Sequence, residues 1–187
     1  MIRDYNQQYP KIRIRLLDLS ANDGLEAVLR GEADFGINMM SGQHPDIEFV
    51  SLVQEHFVLA CRRDHPLANR EAVTWTELAD YRLIGVGRLS GNRMLLDHAL
   101  SGLNLRPKWF YEVQHLSTSL GMVEAGLGVS AMPTLAMPNA DHPTLVSVPL
   151  IEPQVTRTLG LVYRRGASLS PAAEKFVSIL LQKWPNR

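Results

Sequence analysis

The 187-residue sequence has one cysteine, no excess of either charge and no long apolar run, and each shortage removes a class of protein. The lone Cys61 excludes an internal disulfide framework. Nineteen Lys and Arg balance nineteen Asp and Glu. The basic excess with which a domain usually grips nucleic-acid phosphates is therefore missing. No stretch approaches the roughly 18 apolar residues of a membrane span, and MIRDYNQQYPKIRIRL has no apolar core of signal-peptide length. These features fit a soluble cytoplasmic protein that does not itself grip DNA.

Motifs that carry chemistry are scarce as well. A P-loop needs GK[ST], which does not occur. The histidines at 44, 56, 65, 98, 115 and 142 never fall at metal-ligand spacing on one element, so neither zinc nor any other cofactor is expected. GVSAM lacks the second glycine of a nucleophile elbow. In YRLIGVGRLSGNRMLL, Gly85 and Gly87 imitate a dinucleotide fingerprint, with Glu112 at the end of the next strand. Ser90 stands where the third glycine belongs, and Gly91 comes one residue late. His115 and Ser117 set a base beside a hydroxyl, but such neighbours at a helix start more often cap than catalyse. Met39, Met40, Met122 and Met132 read as core or pocket wall. No catalytic residue is expected.

What is present is alternation of strands and helices. Residues 2–9 read as a helix closed by Pro10, and KIRIRLLDL (11–19) alternates like a strand with one wet face. A helix follows, stopped by Gly31, and ADFGI (33–37) begins a buried strand. Residues 47–53 and 57–61 read as two strands. TWTELAD (74–80) has the capping-box spacing of Thr74 to Glu77. Strand 81–84, helix 92–101, strand 108–113, helix 117–125 and strand 127–131 form a β-α-β-α-β lobe. TLVSVPL and TRTLGLVYRR are strands, and SPAAEKFVSILLQKW (170–184) closes the chain as a helix with Pro171 at its first position. The pattern predicts an α/β protein of two lobes, each an open, mostly parallel sheet flanked by helices.

Four polar turns follow predicted strands: LSAND (19–23), NMMSG (38–42), GRLSGN (87–92) and QHLSTS (114–119). Ligands of open α/β sheets sit beyond the carboxyl ends of strands, where helix N-termini offer N–H groups and positive dipole ends. Taken singly, each turn is a helix cap. Taken together, they suit a small anion, with Arg88 or Arg93 as a charge partner.

The order of segments resembles the effector-binding domain of LysR-type transcriptional regulators, a type II periplasmic-binding-protein-like fold. YPKIRIRL, LEAVLRGEADFGI, DHPLA, LADYRLI, EAGLGVSAMP and LVYRRGASLSPAAEKFV carry the resemblance from about residue 3 to 180. It implies lobe I at 1–60 and 159–187, lobe II at 61–158, and hinges near Cys61 and Arg157. Effector contacts are implied at Ser20, Asn38, Met39, Ser90, Gln114 and His115, with Ser117 beside them at the same helix entrance. The resemblance further implies antiparallel self-association, with the helices at 22–30 and 92–101 as candidate surfaces. The family's winged helix-turn-helix, linker helix and first lobe I strand have no counterpart in the sequence, so specific DNA binding is not expected of this chain. Two other readings share parts of this pattern: a solute-binding protein of a transporter, and an NAD-linked enzyme that would rely on the incomplete glycine fingerprint.

Overall fold

A computed structural model describes residues 1–39, 44–102 and 106–184. They fall into two units, Met1–Gln54 with Thr158–Arg187, and Glu55–Arg157.

In the first unit, helix α1 (Ile2–Gln8) buries Tyr5, whose hydroxyl donates to Ala172 O at 2.8 Å. Helix α2 (Ala21–Leu29) starts at Ser20 and ends in a Schellman motif. There Gly31 N–H bonds Val28 O and Glu32 N–H bonds Ala27 O, with Gly31 at φ 70°. Strand β1 (Gly36–Asn38) pairs antiparallel with β8 (Thr156–Arg164), and β8 neighbours β2 (Ile47–Arg62). Helix α5 (Pro171–Lys183) is capped by Ser170, which accepts from Ala173 N–H, and Pro171 occupies its first turn. Val28, Ile47 and Val162 form one apolar cluster, and Leu52, Leu161 and Leu180 another.

In the second unit, β2 lies between β6 (Ser130–Pro133) and β7 (Leu145–Ile151), antiparallel to both. Strand β3 (Val73–Thr74) extends β7 in parallel. Strands β4 (Leu83–Val86) and β5 (Trp109–Val113) form a parallel pair, connected by helix α3 (Gly91–Ser101). Helix α4 (Leu116–Glu124) then returns the chain to β4's other side, where a parallel bridge joins Leu83 to Val129. The pairings β1–β8, β2–β6 and β2–β7 are antiparallel and β3–β7 and β4–β5 parallel, so the strand pairing is mixed rather than mostly parallel as the alternation suggested. The core gathers Phe57, Leu59, Leu83, Leu96, Leu100 and Val148. Each leucine among them, once fully buried, contributes about 1.5–3 kcal/mol.

Two expected elements differ. Residues 11–19 are not a strand: the alternation is there, but no neighbouring strand pairs with the segment among the described residues. Ile12 and Ile14 remain half-buried while Leu16 is 73% exposed. The two strands expected at 47–53 and 57–61 are one, β2. The polar Gln54-Glu55-His56 that suggested a turn lies in continuous strand, and Glu55 is buried against Arg157.

Candidate functional site

In the first unit, Ser20 caps α2 in full. Its Oγ accepts Asp23 N–H at 3.2 Å and donates to the Asp23 carboxylate at 2.7 Å. Asn38, at the end of β1, reaches the same helix entrance, its Nδ2 donating to Ala21 O at 2.7 Å. Its Oδ1 accepts Met39 N–H at 2.8 Å. The structure thus brings Ser20, Asn38 and Met39 to one place. Met40, Ser41 and Gly42, the rest of the expected polar turn, lie outside the described residues. A cavity of about 610 Å³ opens beside this entrance, lined by Ile12, Ile14, Leu19, Ser20, Gly36 and Asn38 among others.

In the second unit, the carboxyl ends of β4 and β5 lie side by side, tied by Gly87 N–H to Val113 O at 2.9 Å. Two helices begin there. Ser90 heads α3 and His115 heads α4, and neither helix receives a side-chain cap. Their first N–H groups therefore differ from those of α2 and α5, which Ser20 and Ser170 satisfy. Gln114, His115 and Ser117 are exposed and Ser90 is half-buried. The entrance of α4 thus offers a polar surface with uncommitted donors and a positive dipole end.

The other half of QHLSTSLGMVEAGLGVSAMP is structural. Ser119 is buried and donates to Ser130 at 2.9 Å, which donates to Ile84 O at 2.7 Å, pinning α4 to β6 and β4. Gly126, at φ 78°, closes α4 with Gly126 N–H on Val123 O and Leu127 N–H on Met122 O. Gly128 is required by contact, since a β-carbon there would stand 2.2 Å from Arg82 O.

Sequence reasoning missed the Ser119–Ser130 pair because hydroxyls at a helix start all look like caps. It also misplaced Arg93 as a charge partner. That side chain is buried, with Nε 2.9 Å from both Asp97 oxygens, Nη1 3.5 Å from Glu112 and its guanidinium stacked 4.6 Å above Trp109. Its charge is already paired inside the fold. Arg88, in the loop after β4, is exposed. Among the described residues, no group of three or more His, Cys, Asp or Glu is placed to hold a metal ion, and no helix is long and apolar enough to cross a membrane.

The LysR substrate binding domain family matches residues 1–185. The uncharacterized HTH-type transcriptional regulator YbhD of Escherichia coli (strain K12) is 51% identical over 98% of the chain. The chain spans only 58% of that relative's length. Among solved structures, the effector binding domain of QuiR in complex with shikimate superposes with a TM-score of 0.81 at 23% identity, covering 98% of this chain and 88% of that one. The BenM effector binding domain with its effector benzoate gives a TM-score of 0.74 at 24% identity, covering 98% and 83%. Both have the fold of this chain.

Proposed function

Since the chain belongs to the LysR substrate-binding domain family, we propose that it is the small-molecule-sensing part of a transcription regulator. Family members are regulators of transcription rather than enzymes. The observation that carries the reading is the pair of helix entrances, α3 and α4, left without side-chain caps at the adjoining carboxyl ends of β4 and β5. The two units correspond in this reading to the two lobes. Ser90, Gln114, His115 and Ser117 are its effector contacts in one, and Ser20, Asn38 and Met39 in the other. The effector is a small carboxylate. Uncharged donors and helix dipoles hold such an anion without burying a full countercharge, and the shikimate and benzoate of the QuiR and BenM structures are carboxylates. DNA is contacted through a winged helix-turn-helix outside this sequence, in a cytoplasmic dimer. The chain self-associates through α2 and α3.

Calorimetric titration of shikimate and benzoate into the wild type, Ser90→Ala and Gln114→Ala tests the contacts. Losing one hydrogen bond to a charged ligand costs roughly 1.5–3 kcal/mol, or about 10- to 150-fold in affinity. A lower melting temperature with unchanged affinity in both variants would show that these residues serve the helices alone. Specific, salt-sensitive binding of duplex DNA by the purified chain would overturn the placement of DNA recognition elsewhere.

A further inference from the structure

The chain enters the second unit at Glu55 and leaves it at Arg157, and these two residues grip each other. Glu55 Oε1 accepts Arg157 Nε at 2.8 Å and lies 2.7 Å from Nη2, with the side chains only 4% and 10% exposed. The pair reaches two further segments. Arg157 Nη1 donates to Asn92 Oδ1 at 2.6 Å, at the second residue of α3. Glu55 Oε2 accepts Leu135 N–H at 2.7 Å, just after β6, and the neighbouring Thr134 hydroxyl donates to His56 O at 2.8 Å.

These four segments meet where the sheet's winding reverses. The loop after β4 leads through α3 to β5 on one side, while β6 lies on the other. In open α/β sheets that point is the usual crevice for a ligand. Here side chains of the protein itself span the loops that follow β4 and β6. The Glu55 carboxylate and the Arg157 guanidinium both bond across the bridge, and no buried side-chain polar atom among the described residues lacks a partner.

We propose that Glu55, Arg157 and Asn92 form a positioning network that makes the entrance of α3 and the unit's two crossing points move as one element. A small molecule engaging the Ser90–Gly91 entrance is thereby registered at residues 55 and 157. This deepens the effector reading above, which supplies the small molecule, but the coupling is a property of the free protein.

The test is amide hydrogen exchange on the whole chain without ligand. In Asn92→Ala, peptides covering 54–57 and 155–159 should lose protection together with the first turn of α3, each by about tenfold, the scale of one hydrogen bond to a charged group. Peptides of β7 and the last turn of α3 should keep wild-type rates. Asn92→Asp, which still accepts from Arg157, should restore all three regions. Faster exchange confined to the first turn of α3, or a uniform rise across the chain, would overturn the network. Should Asn92→Ala fail to fold, Arg157→Lys, which keeps the charge beside Glu55 but loses the fork that reaches Asn92, is read by the same criteria. Failure of this test leaves the effector reading standing, whereas failure of shikimate and benzoate to bind leaves the network standing.

Discussion

The indole of Trp109 lies against Gly85, so that a β-carbon on Gly85 would stand 2.4 Å from Trp109 Cε3. Gly85 and Gly87 imitate a nucleotide-binding turn in sequence, but Gly85 is explained by the ring that the neighbouring strand lays across it. Gly85→Ala should therefore destabilise the fold by about 1–3 kcal/mol, the usual cost of overpacking. Urea denaturation of the variant measures it. A change below about 0.5 kcal/mol would mean the ring yields freely and the glycine needs another explanation.

Glu55 and Arg157 predict an asymmetric pair of mutational costs. Glu55→Ala leaves a buried guanidinium and the Leu135 N–H without their acceptor, and should cost about 3–5 kcal/mol. Removing both charges, in Glu55→Ala with Arg157→Ala, should cost clearly less than the two single losses added together. Strict additivity in denaturant melts would show that the two residues do not depend on each other.

Glu77 predicts a pH dependence. Its carboxylate accepts Thr74 N–H at 2.8 Å and the Thr74 hydroxyl at 3.0 Å, and these bonds, with Arg70 nearby, hold its pKa below the ordinary value of 4.5. A carboxylate with a depressed folded-state pKa contributes stability that is present above its unfolded value and lost as pH falls through the folded one. The melting temperature of Glu77→Gln should thus lie below wild type at pH 7, with the gap closing as pH drops below about 4.5. A gap of constant size from pH 7 to pH 3 would remove ionisation from the account.

Cys61 predicts chemical silence. It is fully buried in β2, and burial alone pushes its thiol up to about 11. At pH 8 almost no thiolate exists to attack a reagent. Ellman's reagent should find no reactive thiol in the folded chain and one per chain in guanidinium. Labelling of the folded protein at the unfolded rate would show that the strand opens around it.

What could be read from the sequence was local. The spacing of Thr74 and Glu77 announced a capping box, and the box forms, although the helix behind it is only the 3-10 turn Glu77–Asp80. Pro171 announced the start of α5, and Gly31 the end of α2, because each acts within its own turn. What depended on distant partners was misread or missed. The alternation of 11–19 needed a neighbouring strand to become one. The polar break at 54–56 needed Arg157, 102 residues away from Glu55, to stay inside a strand. Arg93 needed Asp97, Glu112 and Trp109 to become buried. At the helix entrances, hydroxyl position alone could not separate the exposed Ser117 from the buried Ser119, since both sit in the first turn of α4.

The order in which the units complete themselves follows from their make-up. Glu55–Arg157 is an unbroken run, so everything its core needs has been synthesised once Arg157 has been added. The first unit has no such freedom: Leu52 waits for Leu161 and Leu180, and Tyr5 for Ala172. At roughly 5–20 residues per second, the earlier-made segment stays unfinished for the whole time taken to build its neighbour, on the order of ten seconds. Of the two units, the one that contains residues 1–54 therefore waits the longer for its partners, and α5 is the last piece that supplies them.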